Sequence, residues 1–205
     1  MKKQTYFITG ISTEVGKTIV SAIVTQALQA DYWKPVQAGE LQHSDTHKVQ
    51  ELVSNTKTKF HASAFNLETP LSPHAAAKID GVSLSLKKIQ RPKTQNNLVI
   101  EGAGGLLVPL NDTQTISDLI HPLDKVIVVS RHYLGSINHT LLTIEALKSR
   151  GIPIFGIIFN GEKHPSTETI IAKMSGISIL GRIDQEPYFD QNVVKQYAQD
   201  FKSKL

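Results

Sequence analysis

The chain has 205 residues, of which 40% are hydrophobic and 20% charged, with a formal net charge of +4 and no cysteine. That length suits one domain, or at most two small ones, with a buried core, and the missing cysteines exclude disulfides, thiolate metal sites and cysteine nucleophiles. No apolar run nears the roughly 20 residues of a membrane-spanning helix, MKK leads into TYFIT without a signal-peptide core, and the lysines are scattered, so a cytoplasmic protein that binds neither membrane nor nucleic acid is expected.

In chain order, TYFIT (5–9) is a short apolar strand, and a helix is expected over 17–29. A lysine-proline segment, YWKPVQAGELQHSD (32–45), precedes a second helix at 45–54. Little chain separates the first helix from YWKPV, which implies a trimmed edge strand. Residues 55–95 are the least legible, with a turn-prone ETPLSPH and an amphipathic VSLSLKKIQ. Strands then recur at 97–102, 125–130, 152–160 and 177–183, interleaved with helices at 137–150, 166–175 and 190–203. Apolar runs without alternation are strands covered on both faces, and strands that alternate with helices make parallel sheets through right-handed crossovers. The fold class is therefore α/β, a three-layer sandwich with a mostly parallel central sheet, in one domain over residues 1–205.

FITGISTEVGKTIVSAIV (7–24) joins the first strand to the first helix. Gly16 lets backbone approach a phosphate, the amides of residues 14–18 and the positive helix end face the anion, Lys17 reaches the β and γ phosphates, and the Thr18 hydroxyl suits Mg²⁺. The alternative is a chance GKT at a strand-to-helix junction. The Gly10-to-Gly16 spacing is one residue longer than G-x-x-x-x-G-K-[ST].

NLVIEGAGG places Glu101 at the carboxyl end of a buried strand before a glycine-rich turn, on the side where parallel sheets bind ligands, and an acid there suits Mg²⁺. A carboxylate capping the turn is the competing role. Lys34, held extended by Pro35, offers a positive charge and Asp45 a further metal ligand; a merely solvated lysine is the competing view. His43 and His47, at helical spacing around Asp45, invite zinc, but with no third strong ligand they read as a solvated helix face.

G-x-x-T-E-V-G-K-T, K-P-V-Q-A-G, S-D, E-G-A-G-G and L-G-S-I-N-H (134–139), in this order, together resemble the dethiobiotin synthetase family of phosphate-loop NTPase fold, which also carries the longer glycine spacing. The resemblance covers the chain from the first strand to about residue 160. It implies an ATP- and Mg²⁺-dependent ligase of biotin synthesis that carboxylates 7,8-diaminopelargonate with CO2 and closes a cyclic urea. Carried over residue by residue, Lys34 is the catalytic lysine, with Lys17 and Thr13 beside the reacting groups. Thr18, Asp45 and Glu101 are the magnesium ligands. Glu14, Val15, Gly16, Lys17, Thr18, Ile19, Asp45, Glu101, Gly102, Ala103 and Gly104 surround the nucleotide, with Asn160 on the adenine. Ala38, Gly135 and Asn138 touch substrate, the last two from a second subunit, so a homodimer is implied. Gly135 and Asn138 also fit an ordinary helix cap.

Two departures stand out: Ala38 replaces a Ser or Thr of the family, and GRIDQEP (181–187) lacks a proline often found after this last strand. A partitioning-type switch ATPase would carry a second lysine where Ile11 and Ser12 stand. A cobalamin-pathway amidoligase is the other relative of this pattern.

Overall fold

A computed structural model describes residues 3–205. The chain enters through β1 (Thr5–Gly10) and a tight loop into α1 (Lys17–Leu28). Then come β2 (Asp31–Trp33), β3 (Val36–Ala38), α2 (Asp45–Leu52), β4 (Phe60–His61), β5 (Phe65–Leu67) and α3 (Pro73–Ile79). The second half runs β6 (Leu98–Gly105), β7 (Lys125–Arg131), α4 (Ser136–Ser149), β8 (Ile154–Asn160), α5 (Pro165–Ser175), β9 (Ile179–Ile183) and α6 (Gln191–Phe201).

Seven strands pair in the order β4-β2-β6-β1-β7-β8-β9, and every pairing is parallel. The non-alternating runs explain this: Ile8, Ile127 and Ile158 pack under α1, α2 and α6, while Phe7, Val126 and Val128 pack on the other face with Leu147 of α4. Ile157 and Phe159 meet Ile144 of α4 and Ile171 of α5. The sandwich has three layers, as the alternation of strands and helices predicts. Chain direction across the sheet diverges on either side of β1, so the crevice lies at the carboxyl end of β1, β6 and β7.

Three local expectations are corrected. The glycines after Glu101 do not turn the chain: β6 continues to Gly105, which pairs with Gly10 after a register shift. Without bulky side chains, this ribbon comes close to the loop that leaves β1: a Cβ on Gly105 would lie 3.7 Å from the Gly10 carbonyl oxygen, and one on Gly104 3.6 Å from Thr13 Oγ1. The trimmed edge strand is the two-residue β4, which follows α2 rather than preceding β2. The illegible stretch holds α3 and contributes β5 to a two-stranded parallel sheet with β3. VSLSLKKIQ makes only a short turn at Leu86–Lys88, because Leu84 and Ile89 are buried at either end while Asn111 and Gln114 side chains bind its backbone.

Candidate active site

The loop from Ile11 to Gly16 is set by backbone. Gly16 caps α1 at φ 96°, and Glu14 is left-handed at φ 57°. No side chain caps α1 and no acid stands in its first turn, so the first amides and the positive helix end remain available to an anion. A Cβ on Gly10 would lie 2.6 Å from Val15 Cγ2, and one on Gly16 2.2 Å from Asn160 Nδ2. Glycine is thus required at both ends of the loop for contact, and at Gly16 for conformation as well. Within this longer loop Val15, 1% exposed, packs against Gly10.

Four charged side chains converge below this loop. Lys34, placed by the end of β2 and by Pro35, sends Nζ to Asp45 Oδ2 at 2.7 Å and Glu101 Oε1 at 2.9 Å. The Thr18 hydroxyl lies 3.1 Å from Asp45 Oδ1 and 3.0 Å from Glu101 Oε1, and donates to one at a time. Lys17 Nζ folds back to the carbonyl of Ser12 at 3.0 Å. Lys34 and Glu101 are 4% and 1% exposed, so these are dry charges whose interaction is weakly screened.

Burial by itself would lower the Lys34 pKa, but Glu101 and then Asp45 outweigh it, and the ammonium is held above its ordinary value. Asp45 behaves reciprocally: burial raises it, the Lys34 charge and hydrogen bond overcome that, and its carboxyl stays below the usual range. Lys17 differs. Burial, followed by repulsion from Lys34, brings it down to about 8, only partly offset by Glu101 and Asp45.

Positions not anticipated from the sequence complete the site. The buried Tyr32 hydroxyl donates to Glu101 Oε2 at 2.9 Å, and Glu101 in turn holds the phenol proton, raising its pKa well above the ordinary value after burial has already done so. Gln37 accepts from the Asp45 amide at 3.2 Å and donates to the Gly39 carbonyl at 3.0 Å. Arg131 donates to the Glu14 carbonyl at 3.3 Å. Burial beside a named acid is the signal that marks Tyr32 and Gln37, and sequence spacing does not carry it.

The other expected residues fall in two places. Thr13, Glu14, Ala38, Ala103 and Gly104 line a cleft of about 680 Å³ with Lys17, Thr18, Lys34, Asp45 and Glu101. Asn160, Gly135 and Asn138 line a second cavity of about 1170 Å³, beyond the carboxyl ends of β7, β8 and β9. Asn160 joins the two, since its Nδ2 donates to the Val15 carbonyl at 2.9 Å. Gly102 and Ile19 line neither cleft. Gly135 caps α4 at φ 100° without a side-chain cap bond.

His43 and His47 gather no metal site: His47 completes a capping box with Ser44 at the start of α2, and among the described residues no three His, Cys, Asp or Glu side chains cluster as ligands. The oxygens of Thr18, Asp45 and Glu101 form a hard donor set, which fits Mg²⁺ and not zinc.

A wholly parallel sheet with an anion-binding loop between β1 and α1 defines an α/β phosphate-loop NTPase. A family model described as an AAA domain matches residues 4–193. The chain is 63% identical to the ATP-dependent dethiobiotin synthetase BioD of Christiangramia forsetii, over 98% of both chains. It is 52% identical to that of Cytophaga hutchinsonii, over 97% of this chain and 96% of the other. The chain belongs to the ATP-dependent dethiobiotin synthetase family.

Among solved structures, a Borrelia burgdorferi plasmid partition protein bound to AMPPNP aligns with TM-score 0.62 and 14% identity, covering 100% of this chain and 98% of that one. The MinD cell division protein of Aquifex aeolicus aligns with TM-score 0.59 and 13% identity, covering 98% and 96%. At that identity these two likenesses speak to fold alone.

Proposed function

We propose that the chain makes dethiobiotin from 7,8-diaminopelargonate, CO2 and ATP through the residues gathered below the β1–α1 loop. One amine of the diamine bonds to the carbon of CO2 and loses a proton, giving a carbamate. A carbamate oxygen takes the γ-phosphoryl group as ADP departs. The second amine then attacks the carbamoyl carbon and loses a proton, the carbon–oxygen bond to phosphate breaks, phosphate leaves, and the cyclic urea is complete. The observation that carries this is the Lys34 ammonium, fixed between Asp45 and Glu101 beside Thr18 at the mouth of the loop.

Each step asks mainly for positioning and for positive charge on oxygens. Lys34 stabilises the carbamate and the charge developing at phosphorus, and its raised pKa keeps it cationic throughout the neutral range. Lys17 and the loop amides hold the β and γ phosphates, with Thr13 and Glu14 at the rim of the same cleft. Tyr32 and Gln37 orient Glu101 and Asp45. Thr18, Asp45 and Glu101 would hold Mg²⁺, which supplies charge neutralisation on the triphosphate when bound. Ala103 and Gly104 let the nucleotide pass close to β6, while Gly102 faces Phe7 and Ile116 in the core and Ile19 packs against the core cluster that contains α1. Asn160, anchored on Val15, faces the base.

Ala38 lines the diamine side of the cleft without a hydroxyl, so substrate affinity there rests on contact alone. Gly135 and Asn138 offer α4 amides to the carboxylate of the substrate's tail across a homodimer interface, which exposed Leu134 and Ile137 support. The whole chain acts as one cytoplasmic synthetase domain; among the described residues no helix is long and apolar enough to cross a membrane.

The experiment supplies the diamine, bicarbonate and Mg-ATP, and looks for the cyclic urea by mass spectrometry. Product that requires all three is expected; ATP hydrolysis indifferent to the diamine would favour a switch ATPase instead.

A further inference from the structure

Glu168 stands in the first turn of α5, outside every role given above, yet one of its oxygens gathers groups from three neighbouring elements. Oε1 accepts from the backbone N–H of His164 at 3.2 Å, at the end of the segment that follows β8. It lies 3.2 Å from Nε2 of His132, which follows β7, and 3.9 Å from Arg182 Nη1 in β9. The site is half-dry: the side chains of Glu168 and His132 are 15% and 11% exposed. The His132 ring stacks on Phe159 with centroids 5.1 Å apart and stands 5.8 Å from the His164 ring. His132 Nδ1 and two guanidinium nitrogens of Arg182 are buried with no hydrogen-bond partner, so the arginine depends on the nearby charge of two carboxylates, Glu168 beside Nη1 and Asp184 beside Nε.

These three elements wall the 1170 Å³ cavity next to Asn160. Segment 161–164 runs from Asn160, which touches the phosphate loop, to His164, which touches Glu168. Arg182 pairs at 3.3 Å with Asp184, which lines the same cavity. We infer that Glu168 is the positioning residue for recognition of the nucleotide's base and ribose: it holds the segments after β7, β8 and β9 in the arrangement the base meets. The inference rests on the nucleotide reading above. A wall already tied down loses less freedom on binding than one that must order around its ligand, so the carboxylate acts on base affinity while the phosphates are held elsewhere.

The test compares Mg-ATP with Mg-tripolyphosphate, which engages the phosphate loop but has no base. By calorimetry on the full chain, Glu168→Gln should weaken ATP about tenfold and tripolyphosphate less than about twofold. In turnover, KM for ATP should rise by a similar factor with kcat nearly unchanged. Equal losses for both ligands, or no loss for ATP, would overturn the assignment in favour of a purely structural role. Should Glu168→Gln fail to fold, His132→Phe keeps a ring on Phe159 and removes the Nε2 contact. The same selective loss is expected of it, and the same two outcomes count against the inference. A wild-type chain that binds neither ligand would sink the phosphate-loop reading itself, whereas one that binds tripolyphosphate as tightly as ATP would remove only the base cavity.

Discussion

Lys34 is set apart from the other cations of the cleft by its two carboxylate partners, and its loss removes charge from the reacting oxygens without touching the loop. Lys34→Ala is expected to lower kcat by about 10²–10³-fold, the scale of a lost oxyanion donor, while calorimetric ATP affinity changes by no more than a few-fold. Near-normal turnover would take Lys34 out of the mechanism. Gly16 tests the loop in a different way. Its φ of 96° and the 2.2 Å approach of Asn160 Nδ2 leave no room for a methyl group. Gly16→Ala should cost about 1–3 kcal/mol in urea denaturation and abolish tight nucleotide binding; an undisturbed variant would contradict the geometry. Lys17, Thr18 and Gly16 are legible in the sequence because their roles depend on neighbours within a few residues. Tyr32 and Gln37 are not, because only the approach of β2 and β3 to distant acids gives them work.

Among the secondary-structure elements, α1, α2, α4, α5 and α6 lie close to their expected spans, whereas the seven-residue α3 lies in the stretch that was least legible. The short strands β3, β4 and β5 carry two or three residues each, too few for a periodicity. They form where neighbouring segments offer partners. Gln37 of β3, for instance, faces the cleft only because β3 pairs with β5. At the opposite end of the sheet from the site, Asp31 binds Thr94 Oγ1 at 2.6 Å, His61 Nε2 at 3.0 Å, and the Lys59 amide and Asn96 Nδ2 at 3.2 Å. Burial would raise this carboxyl, but those hydrogen bonds hold it below its usual value. The stabilisation is therefore present above the unfolded carboxylate pKa and is lost as pH falls through the lowered one. Asp31→Asn should cost about 1–3 kcal/mol at neutral pH, and the gap to wild type should shrink near pH 3. A gap that is constant with pH, measured by denaturation at both values, would mean the charge contributes nothing.

At the scale of the whole molecule, the proposed homodimer is what would bring a second copy to the diamine site. Tyr133, Leu134, Ile137 and Leu142 surround the α4 N-terminus with 40%, 103%, 37% and 59% of their surface exposed. Leu134→Asp is expected to yield monomers in sedimentation and to raise KM for the diamine while sparing ATP affinity; dimers with normal diamine kinetics would place the substrate carboxylate elsewhere. The layer architecture and the phosphate loop are legible in the sequence by itself, and Lys34, Asp45 and Glu101 stand out there as candidates to serve that loop. Those features follow from hydrophobic runs and from residue types whose chemistry is local. Tertiary structure alone decided that β6 runs on close to the loop through its glycines, that one ammonium sits on both carboxylates, and that a single carboxylate binds three strand ends together. The physical reason is that such contacts join residues tens of positions apart, and nothing in a residue's neighbours along the chain records which distant group the packed sheet will bring against it.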